Sequence, residues 1–210
     1  MKLFALPLLL IAAKVSFAQI KVTKLDKKDI PATIKYTGLI INAVKYTDND
    51  GQHLIITTET GITPTKSKDP GDTDFRDAAL YAYCYTIGTN NKLKLSWQTY
   101  DFIKDCSVDL EANYVPNTFA VTDLNNDGKA EVWLMYTTAC TGDVSPPDMK
   151  IIMHEGLKKY AVRGTKKVKV SDKDFEGGKF TYDEAFKAGP EAFIRYAVDL
   201  WKKNSMQVWQ

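Results

Sequence analysis

Only two histidines occur in the 210 residues, His53 and His154. A histidine-rich zinc or copper centre is therefore excluded, because such sites draw several imidazoles to one ion. The three cysteines are too few for the multiply stapled scaffolds of very small secreted domains. No apolar run reaches the roughly twenty residues that a helix needs to cross a bilayer. No Gly-x-Ser-x-Gly elbow, phosphate-binding loop or dinucleotide fingerprint is present. Glycine and proline, at 12 and 8, are ordinary and exclude collagen-like or low-complexity structure. What is present is 44% apolar and 11% aromatic residues. A chain of this size buries about 70% of its unfolded surface, which is enough for one substantial core, and one domain is expected over residues 19–210.

The first eighteen residues read as a secretory signal. Met1 and Lys2 make a minimal charged start, Leu3 to Ala13 form an apolar run, and Ser16 and Ala18 place small residues where a signal peptidase reads. Cleavage is expected before Gln19, leaving an exported, soluble product, periplasmic or secreted, with no membrane span. Without Lys2 and Lys14 the basic residues fall from 28 to 26, level with the 26 acidic ones. A neutral chain does not bind nucleic acid through general phosphate neutralisation. Export to an oxidising compartment makes one disulfide and one leftover thiol the natural reading of three cysteines. Of the three pairings, Cys106 with Cys140 is favoured, because each borders a strand-like run beside a polar loop. Cys84, inside Leu80 to Tyr85, reads as a small buried apolar residue.

Turn clusters and β-branched runs predict the architecture. Leu39 to Tyr46 and His53 to Thr58 flank Asp48-Asn49-Asp50-Gly51, a hairpin turn. Residues 78–87 and 93–103 form a second hairpin through Gly88 to Asn91, in which Leu93, Leu95 and Trp97 share one face. The stretch 60–74 has no periodicity and reads as a surface loop. Further strands are expected at 117–122, 130–138, 149–154 and 159–163. Phe193, Tyr196, Ala197, Leu200 and Trp201 repeat at helical spacing after Pro190, and Thr181 with Glu184 has capping-box spacing for a shorter helix. The expected fold class is α+β, mainly antiparallel β-sheet hairpins with a C-terminal amphipathic helix.

One segment carries recognisable chemistry. Residues 123–131 read Asp-Leu-Asn-Asn-Asp-Gly-Lys-Ala-Glu. Asp123, Asn125 and Asp127 alternate around Gly128, Lys129 offers a carbonyl oxygen, and Glu131 can close an all-oxygen shell of the kind calcium requires. An EF-hand is excluded, because its twelfth position needs a glutamate and Leu134 stands there. The loop resembles the strand-flanked calcium loops of integrin-type propeller repeats, over nine residues and in one copy, so the propeller fold is not implied. The expected role is structural, pinning two strands.

Charge is uneven along the chain. Acids collect between Asp101 and Glu131, and bases between Lys158 and Lys173, where Lys166, Lys167 and Lys169 form a candidate anion-binding group. The acidic pairs Asp101 with Asp105 and Asp109 with Glu111 are the candidates for glycoside chemistry.

The tract Asp105-Cys106, Val121 to Leu124, Asp127-Gly128, Ala130 to Val132, Cys140, Asp143 to Pro146, Met149-Lys150 and Tyr160 to Gly164 resembles a family of exported bacterial proteins described as surface-polysaccharide biosynthesis proteins. The resemblance spans roughly residues 95–165 and the C-terminal helix. It implies a cell-envelope role, with a surface glycan or envelope assembly proteins as partners, and supplies no catalytic residue. A binding or assembly factor is the leading expectation; a carbohydrate-active hydrolase or transferase using acidic residues is the alternative.

Overall fold

The computed structural model describes residues 20–65 and 75–207. The signal segment 1–18 lies outside the described residues. In chain order the strands are β1 (Lys21–Lys24), β2 (Leu39–Asp48), β3 (Gly51–Glu59), β4 (Thr63–Thr65), β5 (Phe75–Ile87), β6 (Leu93–Cys106), β7 (Asp109–Tyr114), β8 (Ala120–Thr122), β9 (Glu131–Thr141), β10 (Asp148–Glu155), β11 (Lys158–Thr165), β12 (Lys167–Lys169), β13 (Phe175–Gly177) and β14 (Phe180–Tyr182), followed by α1 (Glu184–Lys187) and α2 (Glu191–Asn204). Strands hold 55% of the described residues and helices 13%, so the fold is mostly β and the α+β expectation overstates its helical share.

Two antiparallel sheets face each other. The first runs β1-β2-β3-β5-β6, with β4 continuing beside the N-terminal part of β5. The second runs β14-β11-β10-β9, and β7 and β8 share the remaining edge of β9 end to end. A short pair, β12 with β13, stands apart. Strand β9 explains the layering. Val132, Leu134 and Tyr136 point between the sheets, whereas Trp133 and Met135 point to the opposite face, where Phe186, Phe193, Ala197 and Trp201 cover them. A strand covered on both sides needs an unbroken apolar run, and Val132 to Tyr136 is one. On the far side of the first sheet, Leu25, Ile30 and Ile34 of the N-terminal segment cover Ala43, Leu54 and Ile56.

The expected hairpins form. Asp48 pairs with Gly51 across the two-residue loop Asn49-Asp50, and Gly51 has φ 120°, which the turn needs. The shared face predicted for Leu93, Leu95 and Trp97 does not hold, because a bulge between Cys84 and Tyr85 shifts the register. Trp97 enters the core between the sheets, Leu93 joins the N-terminal cover, and Leu95 is left exposed. Within 60–74, residues 63–65 are strand β4 and 66–74 lie outside the described residues. Strand 117–122 shortens to β8, since Asn117 has φ 61°. The short helix is capped by Asp183, whose carboxylate accepts from the Phe186 N–H at 2.9 Å; Thr181 instead belongs to β14. The long helix begins after Pro190 and lays its predicted stripe on the second sheet. Full burial of Phe193 and Trp201 contributes roughly 2–3 kcal/mol each.

The predicted disulfide is present. Cys106, at the end of β6, joins Cys140, near the end of β9, with Cα atoms 5.8 Å apart. It links the two sheets at one end. Cys84 is buried and free, and burial pushes its thiol up to about 12, which makes it inert.

Candidate functional site

The segment 123–131 connects β8 to β9 and lies at the end of β9 remote from the disulfide. Its alternating side chains converge in part. The Asp127 N–H donates to Asp123 Oδ1 at 3.1 Å and to Asn125 Oδ1 at 3.2 Å, and the Gly128 N–H donates to Asp123 Oδ2 at 3.1 Å. The first two oxygen-bearing side chains thus share one centre. Asp127 turns back on its own loop, where its Oδ1 accepts from the Lys129 N–H at 2.8 Å. The Lys129 ammonium reaches away to Asp50, 3.2 Å distant.

Glu131 is the unusual member. It is wholly buried, and its carboxylate accepts from the Thr122 hydroxyl at 2.6 Å and from the Leu124 N–H at 2.9 Å. Trp133 Nε1–H donates to the same Thr122 hydroxyl oxygen at 2.9 Å, fixing its direction. Desolvation first, and then the charges of Asp123 and Glu155, push the Glu131 carboxyl up. The same desolvation would be relieved by a cation, and none of the described lysines, arginines or histidines forms an ion pair with Glu131. Glu155 adds a further acid, accepting from Asn125 Nδ2 at 3.0 Å and from the Tyr160 hydroxyl at 3.2 Å. The donor set is oxygen only and suits a hard cation. Among the described residues, no three acids, cysteines or histidines stand in metal-holding geometry, so the loop is a partly gathered set rather than a closed shell.

The hairpin turn of β2 and β3 docks onto this loop. Asp48 Oδ2 accepts from the Ala130 N–H at 3.0 Å, Asn49 N–H donates to the Gly128 carbonyl at 2.8 Å, and Asn49 Nδ2 donates to the Asp127 carbonyl at 3.0 Å. Asp48 Oδ1 lies 3.1 Å from His53 Nε2 and also accepts from the Asp50 N–H. Gly128 has φ 81°, and a Cβ there would meet the Asn49 side chain, so both backbone conformation and close approach require glycine. This contact was missed by sequence reasoning, because nothing local in Asp48-Asn49 marks a partner about eighty residues away.

The other predicted residues are scattered. Asp101 Oδ2 accepts from Lys150 Nζ at 2.6 Å and from the Tyr136 hydroxyl at 2.9 Å, between the sheets. Asp105 is exposed, with φ 51°. Glu111 accepts from the Thr137 hydroxyl, and Asp109 is exposed at the start of β7. The lysines do not point at a common centre. Lys166 is partly buried and its ammonium is pushed down by desolvation, Lys167 lies 4.3 Å over the Phe175 ring, and Lys169 pairs with Asp172 at 3.0 Å.

Compared with family models, with curated proteins and with solved structures, the chain matches none.

Proposed function

We propose that the chain is an exported cell-envelope protein, a binding or assembly factor connected with surface polysaccharide, in which the 123–131 loop takes one calcium ion as a structural element. The observation that carries the calcium reading is the buried Glu131 carboxylate, set beside Asp123 and Glu155 with no cationic side chain among the described residues paired to it. Asp123, Asn125, Asp127 and Glu131 would hold the ion, with the Lys129 carbonyl as a fifth ligand. Such an ion draws the β8–β9 connection together, and the Asp48 turn rests on that connection. The Cys106–Cys140 bridge supports an oxidising compartment.

The polysaccharide link rests on the family resemblance. The prominent aromatic row does not add to it. Tyr83, Tyr81, Tyr100 and Phe102 stack in sequence on the outer face of the first sheet, with centroids 5.8, 4.7 and 4.9 Å apart. Rings that stack on one another use up the faces a sugar would need, so the row is a cross-strand device for the sheet. A hydrolase would need two carboxylates opposed across one cleft. Asp101 is instead tied to Lys150 and Tyr136, which favours the binding reading.

Calcium at about a hundred times its dissociation constant should stabilise chelator-treated protein by about 2–3 kcal/mol, raising the melting temperature. Asp127→Ala should abolish the gain. The gain should also shrink on acidification, because protons compete with the ion for Glu131. A melting temperature indifferent to calcium would remove the loop from this account. For the envelope role, cells lacking the protein should show an altered surface-glycan ladder on gels, restored by the wild-type chain. An unchanged ladder would count against the polysaccharide link.

A further inference from the structure

A second site lies on the flank of the sandwich, between the edge of β2 and residues 113–119. It is a cavity of about 660 Å³, in the middle of the ~300–1,000 Å³ range of small-molecule sites. Two backbone irregularities shape it. A bulge in β2 between Ile40 and Asn42 turns Ile41 onto the wall, and Asn117 adopts φ 61° on the facing segment. Bulges that re-aim a side chain recur beside functional sites.

The wall combines an apolar part, Leu25, Ile41, Val115 and Phe119, with polar residues that include Asn42 and Glu59. Glu59, the last residue of β3, has Oε1 accepting from the Tyr114 N–H at 2.7 Å. Desolvation pushes its carboxyl up, with only that hydrogen bond opposing, and no described lysine, arginine or histidine forms an ion pair with it. The other titratable groups on the wall are Lys24 of β1 and Tyr114 of β7. Lys24 forms no ion pair with Glu59, and the Tyr114 hydroxyl donates away, to the Tyr81 carbonyl at 2.8 Å. Asn42 donates Nδ2 to Thr57 at 2.9 Å, which leaves its oxygen as an acceptor beside the cavity. The polar wall therefore holds one carboxylate that no described cationic side chain pairs with, one lysine, and the uncharged residues Asn42, Asn113, Asn117 and Thr118.

We propose that this cavity binds a small primary amine with one positive charge and an apolar body, its ammonium set against Glu59 and Asn42 and its hydrocarbon against Ile41, Val115 and Phe119. A single charge is specified because Lys24 on the same wall disfavours a second. The inference is independent of the calcium loop and of the polysaccharide link, which lie elsewhere on the molecule.

Phenethylamine, 2-phenylethanol and putrescine are the probes, titrated calorimetrically into the full mature chain. Phenethylamine should bind saturably, and the alcohol, which has the same body without the charge, about tenfold or more weaker, as loss of a charge-assisted hydrogen bond requires. Putrescine, with two charges and little apolar surface, should also bind more weakly. Glu59→Gln keeps an oxygen for the Tyr114 N–H and so should fold; its amine affinity should fall by a similar factor while its alcohol affinity stays. Acidification through the Glu59 range should weaken amine binding, since an alkylammonium, titrating near about 10, stays charged. Equal affinities for amine and alcohol, an unaltered Glu59→Gln titration, preference for putrescine, or no saturable amine binding at millimolar concentration would each overturn the proposal.

Discussion

Replacing Cys106 and Cys140 together by alanine should lower stability by roughly 3–4 kcal/mol, the loop-closure entropy that a cross-link across 34 residues removes from the unfolded chain. For a domain of this size that is a drop of about 10 °C in melting temperature. The loss has a definite location. The bridge runs from β6 in the first sheet to β9 in the second, so its removal frees the sheets at one end while the Asp48 contacts hold the other. Cys140 is exposed, and a reductant should therefore reproduce the effect without any substitution. Denaturant midpoints of oxidised, reduced and doubly substituted protein give the measurement. Tryptic digestion without reductant should join the peptides 105–129 and 130–150, leaving Cys84 in an unlinked peptide. A midpoint unchanged on reduction, or a linked Cys84, would contradict this account.

Acid should destabilise the protein through His154. This imidazole is buried between the sheets, stacked on Trp97 with centroids 3.9 Å apart, and Nε2 lies 3.0 Å from the Thr99 hydroxyl. Its Nδ1 has no partner among the described residues. Desolvation first, and then the Lys159 charge, push it down to about 4. The unfolded histidine titrates near about 6.5, so the unfolded chain takes up the proton first. The stability tied to neutral His154 is therefore complete above that value and is lost as the pH falls toward about 4, by about 3 kcal/mol in all. Glu59 and Glu131, whose carboxyls are raised, shift stability the opposite way on acidification. His154→Gln isolates the histidine, because its amide can still meet Thr99 and cannot titrate. Urea midpoints of the two proteins should diverge progressively through this window, and parallel curves would refute the assignment.

Much of the architecture was legible because its signals are local. Asp48 to Gly51 and Gly88 to Asn91 announce their hairpins by composition alone, and the spacing of Phe193, Ala197 and Trp201 announces a helix with one buried face. Even the disulfide followed from where Cys106 and Cys140 stand relative to strand-like runs. Features set by distant pairing were not legible. The bulge opposite Leu95 and Trp97 depends on how β5 and β6 meet, and it moved one of those side chains into the core and left the other in solvent. The candidate loop was legible as a row of oxygens, but the folding of Glu131 onto Thr122 and Leu124 was not, because alternation says nothing about depth of burial. Glu59 gave no sequence signal, since its setting is made by Tyr114 and the segment after it, some fifty-five positions on. The basic block read from the sequence does not gather at one centre, because Lys167 lies over the Phe175 ring and Lys169 pairs with Asp172.

The sandwich is fastened near both ends of β9, by sulfur at Cys140 and by the Asp48 carboxylate at Ala130. Asp101 with Lys150 and Tyr136, Thr99 with His154, and Tyr114 with Glu59 and Tyr81 add further ties between the sheets, so sliding of one over the other breaks several polar contacts at once. The wall of the lateral cavity carries two of these ties, both at Tyr114, so the packing that secures the core also sets the width of the cavity.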